Sequence, residues 1–235
     1  MRGDVMGFSK LLREGIWDIH SMADSSTVAQ DMQEAKTTFE DMKKITAGHY
    51  YIYTTLEEAI EQNKDNPYVS KIYYPELFRK DHIIEDLKFY FGENYLEQIY
   101  PTVAIQLYIS RIKYVAKHEP MLLIAHAYVR YMGDLSGGQM IKDMIRNALN
   151  LQNGKGTRFY EFDKIKDIME FKKSYRANLD TLDLTDEQIK AIIGEANLAF
   201  LYNVNFFREV NRPVPYPDEI EKPYLVRAYE KIKFV

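Results

Sequence analysis

Residues 125–140 read AHAYVRYMGDLSGGQM, a stretch typical of a long amphipathic helix. It nevertheless contains Gly133, Gly137 and Gly138. Each glycine costs about 1 kcal/mol relative to alanine in a helix interior, so the three together forfeit roughly 3 kcal/mol of helix propensity. Tight packing is the common reason for a single helix glycine. Three within six residues, with the carboxylate of Asp134 between them, indicate a ligand site.

Gly133 and Gly137 lie four residues apart and therefore share one face of the helix. Without side chains, that face forms a shallow trough that a flat ligand or another backbone can approach closely. Two interpretations of the neighbouring Asp134 stay open. Its carboxylate either pairs with Arg130 across one turn or holds a water over a bound ligand.

The composition is that of one helical domain. The 235 residues are 46% hydrophobic and 28% charged, and eleven glycines and eight prolines are few for a sandwich or barrel. We expect an all-α, single-domain helical bundle over residues 1–235. Its core would cover about 8–210, followed by a polar C-terminal tail over 211–235.

Charge and cysteine content exclude several classes of function. A net charge of −4 lacks the basic footprint of a nucleic-acid binder. Zero cysteines exclude disulfides, thiolate-ligated heme and iron–sulfur clusters. The first ten residues lack the apolar region of a signal peptide, and no run of 18 apolar residues occurs. We therefore expect a soluble, cytoplasmic protein without a membrane anchor.

The spacing of apolar residues predicts where the helices lie. Thr185 and Gln188 have the spacing of a capping box, and residues 153–156 read as a turn. The predicted helices cover about 8–23, 38–63, 79–91, 102–117, 121–150, 164–181 and 185–211.

His20 is the candidate metal ligand. It lies beside an apolar stripe, and Asp24 one turn later could take one ring N–H and strengthen the other nitrogen as a ligand. A histidine packed in the core is the more common outcome and stays open. Lys172 and Arg176 could clamp an anionic group, with Arg13 as a third cation, although a solvated helix face explains such a pair equally well.

Three familiar sites are excluded by spacing. Gln139 and Met140 replace the Lys-Ser/Thr that follows a phosphate-binding G-x-x-x-x-G. Ser136 lacks the G-x-S-x-G elbow of the hydrolases. None of the five histidines follows a Glu or Asp by three residues, as the ligands of carboxylate-bridged di-iron bundles do.

Residues 125–140 resemble the distal-helix signature of the heme oxygenases, and REGIWDIHSMAD at 13–24 resembles the proximal helix of that family. The resemblance covers roughly residues 8–210. Trp17 and Val129 depart from the family pattern, at positions where a lysine and a threonine are common. The other similar segments are 53–64, YPEL at 74–77, EDL at 85–87, FYEF at 159–162, 171–176 and 195–207.

The resemblance implies that heme b is both cofactor and substrate, lying between a proximal and a distal helix, with His20 as the axial iron ligand. Some of the implied heme-binding residues would meet the propionates, and others would line the two faces of the ring. The full implied set is Arg13, His20, Tyr128, Gly133, Gly137, Gly138, Lys172, Arg176, Phe200 and Phe207. The implied catalytic residues would order the waters that deliver protons: Tyr53, Arg130, Gly133, Asp134 and Asn203.

The resemblance also implies a reaction and partners. Heme would be cleaved with O2 and a reductant to biliverdin, as the IX-alpha isomer, with release of Fe2+ and CO. Similarity to the soluble cyanobacterial and plastid enzymes implies ferredoxin as electron donor and a bilin reductase downstream, and the plastid stroma as the location in an alga whose transit peptide is missing here. The alternatives that remain are a non-catalytic heme protein, and a plain helical interaction domain or a different enzyme on the same helical scaffold. The basic residues that could receive an acidic ferredoxin are Lys142, Arg146, Lys172 and Lys173.

Overall fold

The computed structural model describes residues 7–24, 34 and 36–211. This part of the chain is all-α, as predicted, and contains no strand. None of its helices is both long and apolar enough to cross a membrane. The predicted polar tail lies outside the described residues, apart from the helix end at 211. The helices are α1 (Phe8–Gly15), α2 (Trp17–Asp24), α3 (Phe39–Gln62), α4 (Lys80–Phe91), α5 (Val103–His118), α6 (Leu123–Ala127), a π-helical segment (Tyr128–Met132), α7 (Gly133–Leu149), α8 (Ile168–Leu179) and α9 (Asp186–Asn211).

The prediction of one continuous helix over 8–23 is wrong, because the chain bends at Ile16 and separates α1 from α2. The cause is packing against α9. A Cβ at Gly15 would lie 2.6 Å from a methyl carbon of Ile193, and Asn197 donates a hydrogen bond of 3.0 Å to the Gly15 carbonyl. The break lies at this contact with α9, so the apolar stripe continues while the helix does not.

The prediction of one α-helix over 121–150 is correct in extent but wrong in its middle. We call the continuous segment formed by α6, the π-helical segment and α7 the glycine helix. All five residues of its π-helical part are buried. A π turn accommodates one extra residue and commonly occurs at functional sites. The extra residue turns the side chains after 132 relative to those before 128, which spacing along a regular helix does not predict.

The remaining boundaries follow local signals. The predicted capping box at the start of α9 is confirmed, because Thr185 N donates to Gln188 Oε1 (2.9 Å) and Gln188 N donates to Thr185 Oγ1 (3.3 Å). The predicted turn over 153–156 is also confirmed. Asn153 has φ of 57°, and Gly154 and Gly156 have φ of 73° and 75°, a left-handed backbone that glycine adopts without strain.

Helix α9 contacts both α2, which carries His20, and the glycine helix. It packs against α1 and α2 on one side and against α6 and the π-helical segment on another, and it also contacts α3 and α5. Its C-terminal end is held at the start of α5, where Ala104 N donates to Glu209 Oε1 (3.1 Å). The relative position of α2 and the glycine helix therefore depends on α9.

Candidate active site

Gly133 and Gly137 both face open space. A Cβ built at Gly133 meets no described atom within 4 Å, and one at Gly137 meets only Ile141 Cδ1 at 3.9 Å. Gly48 in α3 shows the contrast, because a Cβ there would lie 2.2 Å from a carbon of the Phe206 ring. Packing within the chain therefore explains Gly48 but not the two open glycines. The bare backbone at these two positions leaves room for a ligand to approach it closely.

Gly138 differs from the other two glycines. A Cβ there would lie 3.2 Å from Tyr160 Cδ1, so its bare side faces a neighbouring turn, Arg158–Tyr160. The resemblance implied that all three glycines contact heme. The structure divides them, with Gly133 and Gly137 on the open face and Gly138 in contact with protein.

Four of the predicted catalytic residues form one hydrogen-bonded network. The Tyr53 hydroxyl donates to Asp134 Oδ2, and Arg130 Nε donates to the Tyr53 hydroxyl at 3.0 Å. Arg130 Nη1 donates to Asn203 Oδ1 at 2.7 Å. Arg130 and Asp134 are thus linked through the Tyr53 hydroxyl, and the interpretation that Asp134 holds a water stays a prediction. Helices α3 and α9 contribute one residue each, and the glycine helix contributes two.

Burial controls the protonation of this network. It raises the pKa of Asp134, although the positive charge of Arg130 and the hydrogen bond from Tyr53 act in the opposite direction. Burial also raises the pKa of Tyr53 well above its ordinary value. Burial disfavours the charge on Arg130, but Tyr53 and Asp134 outweigh it and raise the pKa of the guanidinium. The site combines a neutral phenol, a permanent cation and a carboxyl that retains its proton more readily than usual.

The predicted anion-binding residues also lie together. Burial raises the pKa of Tyr128, while its hydrogen bond to Arg176 and the charge of Arg13 act in the opposite direction. Lys172 is close enough to Arg176 that burial and this like charge both lower its pKa. Arg176 Nε is buried without a hydrogen-bond partner. Positive charge with a buried donor left unpaired favours an anionic ligand.

His20 is exposed on α2, so it is not a packed core histidine. Its ring stacks parallel to Trp17, with centroids 6.3 Å apart, and meets the edge of Phe200 at 5.6 Å. The side chain of Asp24, its predicted partner, lies outside the described residues. Phe207, two turns beyond Phe200 on α9, is half-buried.

Residues 6–209 match the protein-family model described as heme oxygenase. The chain belongs to the heme oxygenase family. A heme oxygenase of Porphyra purpurea is 41% identical over 210 residues, covering 89% of each protein. The structure of heme oxygenase-1 from the cyanobacterium Synechocystis sp. PCC6803 in complex with heme matches with a TM-score of 0.85 and 36% identity, over 97% of this chain and 98% of that one. A heme oxygenase structure from Leptospira interrogans matches with a TM-score of 0.84 and 41% identity, over 87% and 100%.

The activity of this heme oxygenase is the oxidative cleavage of heme to biliverdin, with heme as both prosthetic group and substrate. Two observations on the chain fit heme independently of its relatives. The open face at Gly133 and Gly137 would admit a flat ring, and the cluster around Arg176 offers cations to carboxylates.

Two of the cations expected to receive an electron donor share one carboxylate within the enzyme. Glu161 Oε1 lies 2.9 Å from Arg146 Nη2 and 3.4 Å from Lys142 Nζ. The Lys142 side chain is only 12% exposed. This carboxylate balances only one of the two positive charges, so their role in receiving an acidic donor stays a prediction. The pairing itself was not predicted, because Glu161 comes from a loop whose position sequence spacing does not reveal. Lys173 remains exposed, 3.7 Å from Glu170.

His49 lies beside the hydrogen-bonded network and was not among the residues predicted for the site. It is buried, its ring lies 5.7 Å from that of Tyr53, and burial followed by the charge of Arg130 holds its pKa well below the ordinary value. His49 and Tyr53 are four residues apart on α3, and this spacing could have identified it. Asp86 was not among the predicted site residues either, although it lies in the segment EDL at 85–87 that resembles the family.

Proposed function

We propose that heme binds with one face against Gly133 and Gly137 and the other toward His20, its propionates meeting the cluster of Arg13, Tyr128, Lys172 and Arg176. The open side of the two glycines carries this proposal, because nothing in the described chain uses their missing side chains. The unpaired Arg176 Nε supports the placement of the carboxylates. Phe200 and Phe207, both on α9, would line the pocket between the two sides.

When bound, heme supplies the iron that activates dioxygen and the ring that is oxidised. The chain supplies orientation. The imidazole of His20 is the ligand that would face the iron, and the rings of Trp17 and Phe200 restrict its rotation. Cations around Arg176 decide which edge of the ring lies inward. We infer that this orientation directs cleavage to the IX-alpha isomer.

Proton delivery is the role we assign to the network of Tyr53, Arg130, Asp134 and Asn203. Asp134 has one oxygen bonded to Tyr53, and its other oxygen is the atom that would hold a water at the glycine face. Its raised pKa keeps a proton available there. Arg130, held by Asn203, fixes the Tyr53 hydroxyl and so fixes the carboxyl.

For the electron donor we propose ferredoxin, with a bilin reductase consuming the product. The support is the similarity to proteins of red algal and cyanobacterial origin. Lys173 is the most exposed of these three cations, with 79% of its side chain exposed against 12% for Lys142 and 27% for Arg146, and we propose that it contacts the acidic donor. The same similarity supports a soluble protein of the cytoplasm, or of the plastid stroma in an alga.

One experiment tests these proposals in order. Hemin is added to the protein, and the Soret band is followed while ferredoxin, its reductase and NADPH are added in air. Replacement of the Soret band by biliverdin absorption, with the IX-alpha isomer identified by chromatography, is the expected result. A Soret band that persists with ferredoxin but disappears with another reductant would reject the donor. One that persists with every reductant would indicate a heme-binding protein without the activity.

A further inference from the structure

Asp86 is a buried carboxylate in α4 that lies outside the heme site described above. It is 2% exposed. Its two oxygens accept hydrogen bonds from the backbone N–H groups of Arg158 (2.9 Å) and Phe159 (2.8 Å). Such a pair of charge-assisted bonds holds the start of a short helical turn in place. Asp86 therefore fixes the Arg158–Tyr160 turn to α4.

The far side of this turn is bonded to the glycine helix. The Tyr160 ring lies against Gly138, 3.2 Å from where a Cβ would be. Gln139 Nε2 donates to the Tyr160 carbonyl at 2.9 Å. One residue later, Glu161 pairs with Lys142 and Arg146, one and two turns further along α7. The turn is thus a spacer between α4 and α7.

The turn also contacts the proton network. Phe159 meets the ring of Tyr53 edge-on at 5.1 Å and that of His49 at 4.5 Å. Tyr53 carries the hydroxyl that bonds Asp134. A displacement of the turn would therefore move both the glycine helix and the side chain that holds Asp134.

We propose that Asp86 is a positioning residue that sets the distance of the Gly133 and Gly137 face from heme, acting through the Arg158–Tyr160 turn. This inference rests on the proposed placement of heme. Close packing transmits a shift at Tyr160 to α7, because Gly138 leaves no compressible side chain between them. Asp86 touches neither the open glycine face nor the anion cluster, so its effect is indirect.

The gap between iron and the glycine face can be measured with ligands of two sizes. The full-length ferric heme complex is titrated with imidazole and with cyanide at pH 8, and the ratio of the two dissociation constants is recorded. In Asp86→Asn one backbone N–H loses its carboxylate partner, the turn loosens and α7 can recede. We expect imidazole to bind at least fivefold more tightly relative to cyanide. In Gly138→Ala the added methyl pushes α7 away from Tyr160 toward heme, so we expect a change of opposite sign.

Glu209→Gln is the matched control. Glu209 also accepts a hydrogen bond from a backbone N–H at a helix start, that of Ala104. This bond joins α5 to α9 instead. An unchanged ratio in Asp86→Asn, or an equal change in Glu209→Gln, would overturn the proposal. If Asp86→Asn does not fold, Gly138→Ala tests the proposal alone. A ratio in Gly138→Ala that does not change in the expected direction would then overturn the proposal. Absence of a Soret band in the unaltered protein would instead reject the heme placement itself.

Discussion

The Tyr53 hydroxyl donates its hydrogen bond to the Asp134 carboxylate across 81 residues of sequence. This bond joins α3 to the glycine helix beside the open glycine face, and Arg130 completes the arrangement by donating to the same hydroxyl. The phenol is therefore the central link in the network.

Tyr53→Phe should separate heme binding from catalysis. The substitution keeps the ring contacts but leaves Asp134 and Arg130 without their common partner. We expect heme affinity within twofold of the unaltered protein and biliverdin formation slower by about 10²-fold, the lower end of what general acid catalysis contributes. Asp134→Ala should bind heme and form no biliverdin. Unchanged single-turnover rates in both variants would reject the proton-delivery role.

His20→Ala should change the coordination of heme. We expect an altered ferric absorption spectrum that added imidazole restores, because free imidazole can occupy the position of the missing side chain. His82→Ala is the control, since His82 instead pairs with Asp163 at 3.1 Å. A ferric spectrum identical to that of the unaltered protein would show that His20 is not the ligand.

Gly133→Ala and Gly137→Ala should stabilise the heme-free protein and weaken heme binding. Alanine gains up to about 1 kcal/mol of helix propensity over glycine, and the new methyl groups have free space around them. Urea unfolding without and with heme measures both effects. Gly48→Ala is the contrasting variant, expected to destabilise because Phe206 occupies the space. Loss of heme-free stability at Gly133 and Gly137 would mean that protein packing requires these glycines.

Arg176→Ala should weaken heme binding by about tenfold, since a partly buried charge pair with a propionate is lost. The dependence of heme affinity on salt should decrease in parallel. Lys173→Ala, an exposed cation on the same helix, should leave both quantities unchanged. Equal effects of the two substitutions would indicate a general charge effect rather than a specific clamp.

Folding stability should fall as the pH rises from 5.5 to 8. Burial raises the pKa of Glu57 and of Asp86 to about 7 in the folded chain. A raised carboxyl pKa contributes stability that is complete below the unfolded value near 4 and is lost as the pH rises through 7. Glu57→Gln should reduce this loss of unfolding free energy between pH 5.5 and 8 by about 2 kcal/mol. Urea midpoints at both pH values test it, with Glu40→Gln, 70% exposed at its side chain, as control.

Sequence patterns were most reliable where structure depends on neighbouring residues. Apolar spacing identified the helices, and Thr185 with Gln188 marked the start of α9 correctly. The bend at Ile16 was missed because it arises from contact of Gly15 with α9, about 180 residues away in the chain. The ion pairs of Lys142 and Arg146 with Glu161 were missed for the same reason, since a charge pattern on one helix does not reveal what a separate loop places opposite it.

The sequence by itself determined the all-α class, the family, and which residue types are available for chemistry, because these depend on composition and on spacing along single helices. Tertiary structure alone decided that Gly133 and Gly137 face open space while Gly138 meets Tyr160, that Tyr53 links Arg130 to Asp134, and that Asp86 holds the Arg158–Tyr160 turn. Spacing places a residue around its own helix axis. What stands opposite it depends on how distant helices pack, and the π-helical segment further rotates one half of the glycine helix relative to the other.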